Sequence, residues 1–164
     1  MIPRRRNWIW FFAVLVLLAV IAIWVQIWHS GRQQLTFEQL AHARDLWKAK
    51  GPANYDMNYE IHVLDSTDRY SVRVRGGKAI AVTRNDQPVE QRQFRYSDMP
   101  ALFGFIEDFL EQDSQPGTPR TFATASFDPT DGHLQRYVRS VMSKRERQEI
   151  LVTQFLPRTG DGAS

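Results

Sequence analysis

Residues 8–28 read WIWFFAVLVLLAVIAIWVQIW, and the triplet Arg4-Arg5-Arg6 stands just in front of them. A helix built from this run would be apolar on every side, so no small globular fold can accommodate it as a surface element. Rising about 1.5 Å per residue, it would reach roughly 31 Å, close to the hydrocarbon thickness of a bilayer. The only clearly polar side chain in it, Gln26, lies near one end. The sequence therefore predicts a single transmembrane helix over residues 8–28 and a separate fold for the remainder.

A cleaved secretory signal would have a core of about 7–15 apolar residues and small residues flanking the cut. Here Trp24, Ile27 and Trp28 crowd the outer end, and the pairs Trp28/Ser30 and His29/Gly31 each contain a large side chain. The chain has no cysteine, which rules out a lipoprotein anchor, Cys-based zinc sites and thiol catalysis. An uncleaved signal anchor is expected. Three arginines precede the span and only Arg32 closely follows it, which predicts a cytoplasmic N-terminus over residues 1–7. Trp8 and Trp10 at one end, with Trp24 and Trp28 at the other, match the two aromatic belts of a spanning helix. Residues 29–34 then read as a stalk, 35–157 as an extracytoplasmic domain and 158–164 as a disordered tail.

Setting aside Arg4, Arg5 and Arg6 lowers the basic count from 21 to 18, equal to the 18 acidic residues. The outer domain is thus formally neutral. Nucleic-acid binding needs clustered cations to displace counterions, so no nucleic-acid partner is expected.

Thr36 followed by Gln39 fits a capping box, and Leu35 with Leu40 fits a hydrophobic staple. Leu40, Ala43 and Trp47 continue one apolar stripe until Gly51-Pro52 ends the helix. From Tyr55 to Val63 the period switches to two. Tyr55, Met57, Tyr59, Ile61 and Val63 fall on one face, and Asp56, Asn58, Glu60 and His62 on the other, which is a strand signal. Strands over Tyr70–Arg75 and Ala79–Thr83 meet across Gly76-Gly77, a hairpin turn, and a poorer edge strand is expected over Val89–Arg95. Ser97 is placed to cap a second helix with Pro100 in its first turn and Leu102, Phe103, Ile106 and Leu110 on its apolar face. Three more strands are expected at Thr121–Phe127, Leu134–Met142 and Glu149–Phe155.

The resulting fold class is a transmembrane helix followed by an α+β domain, in the order α-β-β-β-(β)-α-β-β-β. Two helix-then-meander units point to an antiparallel sheet with both helices packed on one face. The polar strand face is then either solvated or a binding surface.

The succession Trp47, Gly51-Pro52, YDMNY at Tyr55–Tyr59, VRVRGGK at Val72–Lys78, LFGFIE at Leu102–Glu107 and FDPTDG at Phe127–Gly132 resembles the bacterial family called domain of unknown function 6174. The resemblance extends over about Ala41–Phe155. It implies a small secreted or membrane-anchored α+β domain of the bacterial envelope, with no catalytic residues to carry over. The chain departs from the family where His133-Leu134 follows Gly132 in place of an aromatic residue and proline.

Chemistry has few carriers. The four histidines, His29, His42, His62 and His133, show no HxxxH or HExxH spacing, so no metal site is expected, and no cofactor-binding motif is present. Glu60 and His62 share a strand face and could act as a carboxylate–imidazole pair, although a solvated face is the simpler reading. Asp128 and Asp131 lack the ligand spacing of a calcium loop and read as turn formers. Glu107, Asp108, Glu111 and Asp113 crowd the end of the second helix, which predicts a neighbouring cation such as Arg120. Arg73, Arg75 and Lys78 place positive charge opposite the core and could meet anionic lipid heads or an acidic partner. The residues favour a non-enzymatic binding module of the envelope, anchored in the inner membrane, whose partners are the lipid bilayer and an envelope protein or peptide. The alternative is a tethered enzyme centred on Glu60 and His62.

Overall fold

The computed structural model describes residues 34–90, 94, 97–144 and 146–158. The expected span with Trp8, Trp10, Trp24 and Trp28, the arginines Arg4, Arg5 and Arg6, stalk residues 29–33 and tail residues 159–164 all lie outside the described residues. Among the described residues no helix is long and apolar enough to cross a membrane.

Helix α1 spans Phe37–Lys50 and begins at the expected capping box. The Thr36 hydroxyl accepts the Gln39 N–H, and the Gln39 side chain accepts the Thr36 N–H, each at 3.2 Å. Leu35 and Leu40 are both buried, as a hydrophobic staple requires. Gly51 closes the helix by donating its N–H to the Trp47 carbonyl at 2.7 Å. The Trp47 indole lies so close over Gly51 that any side chain there would strike it.

Strands β1 (Tyr55–Val63), β2 (Ser66–Arg75), β3 (Lys78–Arg84) and β4 (Gln87–Pro88) form a meander. Helix α2 (Met99–Asp113) follows, then β5 (Thr121–Phe127), β6 (Leu134–Val141) and β7 (Glu146–Pro157). All seven strands make one antiparallel sheet in the order β4-β3-β2-β1-β7-β6-β5. The two meanders are therefore joined at the centre by β1 against β7, the first and last strands of the chain.

Period-two alternation in β1 turns Tyr55, Met57 and Tyr59 toward the helices, where they join Leu40, Ala43 and Trp47 of α1 and Met99, Leu102, Phe103 and Ile106 of α2 in one core. Trp47, Tyr55 and Phe155 form an aromatic cluster with ring centroids 5.2–5.9 Å apart. Tyr59 stacks on Tyr70 at 4.9 Å. The helices are tied to one another by Arg44, which donates to both oxygens of Glu107.

Three expectations change. The cap of α2 is Asp98, whose carboxylate accepts the Ala101 N–H at 2.8 Å, and Ser97 is buried one residue earlier. The expected edge strand over Val89–Arg95 falls mostly outside the described residues, and the fourth strand that is described comes earlier, at Gln87–Pro88, with Val89 donating once more to the Val82 carbonyl. The cations that balance the end of α2 are Arg44 for Glu107 and Arg139 for Asp113, in place of Arg120. Arg139 stands on the helix-facing side of β6. Its guanidinium is largely buried beneath α2, 4.7 Å from the centre of the Phe109 ring.

Candidate functional site

The helices cover one face of the sheet and the other face is open. Alternation in the central strands determines which side chains reach it. Asp56, Asn58, Glu60 and His62 project from β1, opposite Arg73, Ser71, Arg69 and Thr67 of β2. Across the other edge of β1 stand Gln154 and Glu149 of β7, and Arg136 of β6 sits one strand further out. A bulge between Asn58 and Tyr59 shifts the register by one residue. Thr153, the extra residue, donates its hydroxyl proton to the Asn58 carbonyl at 3.1 Å.

The face is laced by ion pairs. Asp56 accepts from Arg75 at 2.9 Å and from Arg158 at 2.8 Å, and these hydrogen bonds, Arg75's above all, hold its carboxyl below the usual carboxylate range. Glu60 meets Arg69 at 3.1 Å and His62 at 3.2 Å. Glu149 meets Arg136 at 2.7 Å and Arg147 at 3.0 Å. Arg73 is exposed and, among the described residues, makes no ion pair. Among the described residues of the central strands and Arg158, three carboxylates, Asp56, Glu60 and Glu149, thus face six guanidinium groups, those of Arg69, Arg73, Arg75, Arg136, Arg147 and Arg158. A domain that is neutral as a whole is cationic on this face. The compensating charge lies in the helical layer, where α2 carries Glu107, Asp108, Glu111 and Asp113 and no basic residue.

The three basic residues singled out from the sequence have different positions. Arg75 is held at the strand end, donating to the carbonyls of Tyr55 and Val74 as well as to Asp56. Arg73 is exposed on the open face. Lys78 is exposed where β3 leaves the Gly76-Gly77 hairpin.

His62 lies between two partners. Its Nε2 is 3.2 Å from Glu60 and its Nδ1 is 2.9 Å from the Thr67 hydroxyl. Hydroxyl, imidazole and carboxylate in this order are the parts of an acyl-transfer site. The surroundings do not complete one. Thr67 and His62 are a paired position of the β1–β2 ladder on an open surface, so the site has no enclosing walls, and the ladder occupies neighbouring backbone groups that an oxyanion site would need.

A second cluster, absent from any spacing rule, forms at the turn between β5 and β6. Asp128, Asp131 and His133 bring one ligand-type atom each to within 4.8 Å of one another. Their polar groups are already engaged. Asp128 accepts the Thr130 N–H at 2.8 Å, which lowers its pKa, and it also accepts from Gln135 at 3.3 Å. Asp131 bonds the His133 ring at 2.6 Å. The imidazole also stacks on Phe155 at 4.3 Å, taking the place of an aromatic residue. Gly132, at φ +80°, presses against the backbone of Ala43 and Trp47 in α1. This arrangement is a turn that fastens the sheet to α1.

A cleft of about 580 Å³ opens elsewhere, between the start of α1, the end of α2 and residues 118–121, and includes neither Glu60 nor His62. Residues 39–118 match a family described as Family of unknown function (DUF6174). No curated protein matches the chain.

Proposed function

We propose that the chain, residues 39–118 of which match a family of unknown function (DUF6174), is a membrane-anchored, extracytoplasmic binding module of the bacterial envelope. In this reading the open sheet face holds an anionic partner, an acidic protein segment or peptide. The apolar run at residues 8–28 and the preceding arginines support the anchor and its orientation. The observation that carries the binding role is the segregation of charge, with six guanidinium groups against three carboxylates in the central strands and Arg158, on a face that no other described element covers. Such a field steers an anionic partner toward the sheet and away from the acidic α2. An open face also suits a protein or peptide better than a small substrate, which binds in a concave pocket.

The test is site-specific photocrosslinking of the full chain in native membranes. A crosslinking side chain at Ser71, on the open face, should capture a partner, and one at Glu111, on α2, should not. The charge reversals Arg73→Glu and Arg136→Glu together should abolish the Ser71 adduct. Equal adducts from Ser71 and Glu111, or an adduct indifferent to the reversals, would refute the proposal.

A further inference from the structure

The hairpin turns of the sheet use residues suited to left-handed backbone, with one exception. Gly76-Gly77 and Asn85-Asp86 carry their positive φ values on glycine, asparagine and aspartate. Leu64, at the β1–β2 turn, has φ +54° and is 69% exposed. A leucine gains nothing from this conformation and leaves its side chain in water. The fold therefore does not explain it.

Leu64 has company. Its N–H points to the Arg147 carbonyl at 3.4 Å, beside the β6–β7 turn, where Met142 is 68% exposed. Met142 in turn donates its N–H to the Arg120 carbonyl at 3.0 Å, next to the start of β5 and the exposed Phe122. Leu35 donates to the Ala123 carbonyl at 2.7 Å, which brings the exposed Phe37 to the same end. Among the described residues, four of the six large exposed apolar side chains thus gather at one end of the sheet, and the other two, Ile80 and Leu156, lie toward the opposite end.

That end also holds Gln34 and Leu35, the first described residues. Whatever conformation residues 29–33 adopt, the six residue steps from Trp28 to Gln34 reach at most about 21 Å. On the anchored reading given above, Gln34, which precedes Leu35 at this end, is therefore held within that reach of the bilayer.

We propose that this end of the domain is a lipid-contacting foot, with Leu64 and Met142 inserted into the headgroup–acyl boundary and Phe37 and Phe122 at its margin. The proposal rests on the anchored reading given above. Its occupant is the bilayer surface. Apolar tips of this kind enter the interface by about 5–10 Å, and a short tether supplies the local concentration that lets a few side chains suffice.

The absence of cysteine permits a direct test on the full chain in phosphatidylcholine vesicles. A bimane label at Ser143→Cys, beside Met142, should be quenched several-fold more by brominated lipid than one at Thr130→Cys, in the turn at the opposite end. Adding Leu64→Asn and Met142→Ser should remove that difference. Leu64→Asn should at the same time leave the thermal midpoint unchanged or raised, since asparagine suits the turn, and this separates lost lipid contact from lost folding. Release of the chain by an alkaline wash would overturn the anchor and the foot with it. Retention with equal quenching at both labels, or quenching indifferent to the two substitutions, would overturn the foot alone.

Discussion

The phenol oxygen of Tyr55 accepts the backbone N–H of Met99 at 2.9 Å, 44 residues further along the chain. Tyr55 is the first residue of β1 and Met99 the first of α2, so a strand caps a helix. Asp98 takes the Ala101 N–H, and together the two side chains satisfy donors that the first turn of any helix leaves free. Tyr55→Phe keeps the ring in its cluster with Trp47 and Phe155 and deletes only the acceptor. Because the orphaned N–H is buried, the loss should be about 1–3 kcal/mol, read as a lower urea midpoint at unchanged slope.

Gly132→Ala should be costly for two reasons at once. Its φ of +80° is unfavourable to any L side chain, and the new methyl group would run into the Ala43 carbonyl and the backbone of α1. A loss of at least about 2 kcal/mol is expected. Gly76→Ala has comparable φ but nothing within 4 Å of the added atom, so strain alone should cost about 1 kcal/mol. Thermal melts of the two variants, side by side, separate strain from collision.

Arg139 and Asp113 form the most buried ion pair, with side chains 12% and 10% exposed. Arg139→Met leaves the aspartate unpaired and buried at the end of α2 and should cost about 3 kcal/mol or more. Arg139→Met combined with Asp113→Leu should recover most of that loss, since the unpaired charge is gone. A double-mutant cycle by urea denaturation measures the coupling.

Acid should act through Asp56 in a predictable direction. Its folded pKa lies below the unfolded value because Arg75 and Arg158 bind the carboxylate. The stabilisation is therefore complete above the unfolded pKa, near 3.9, and fades as pH falls through the folded one. Asp56→Asn should be less stable than the parent at pH 7, and the difference should shrink below about pH 4. A gap that persists at low pH would place the effect elsewhere.

Local pattern was enough for much of this fold. The nine alternating residues of Tyr55–Val63 define β1 and its two faces, and Thr36 with Gln39 marks the start of α1, because those signals arise between neighbours in the chain. The ends of the second helix were harder. Ser97 and Asp98 are equally good caps by residue type, and only the buried packing of Ser97 decides between them. Of the expected edge strand over Val89–Arg95 most lies outside the described residues, and the pairing that is described begins earlier, at Gln87 and Pro88. Arg139 occupies a core-facing position that period two would assign to an apolar residue, and only its partner on α2 makes it tenable. The charge of the open face was beyond local reading altogether. Arg69 and Arg136 share a surface only because β7 lies between β1 and β6.

That central pairing also sets a timetable for synthesis. Asn58 and Gln154 share a hydrogen bond of 2.8 Å across 96 residues of chain, so the middle of the sheet cannot form until its last strand has been made. Until then β1 offers a bare edge, a template on which any passing strand could pair. The segment 39–118 that matches the family ends before β5 begins, and released by itself it would keep that edge permanently open. Where ribosomal delivery is slow, the hazard for this protein is a partner strand arriving from a neighbouring nascent chain before its own.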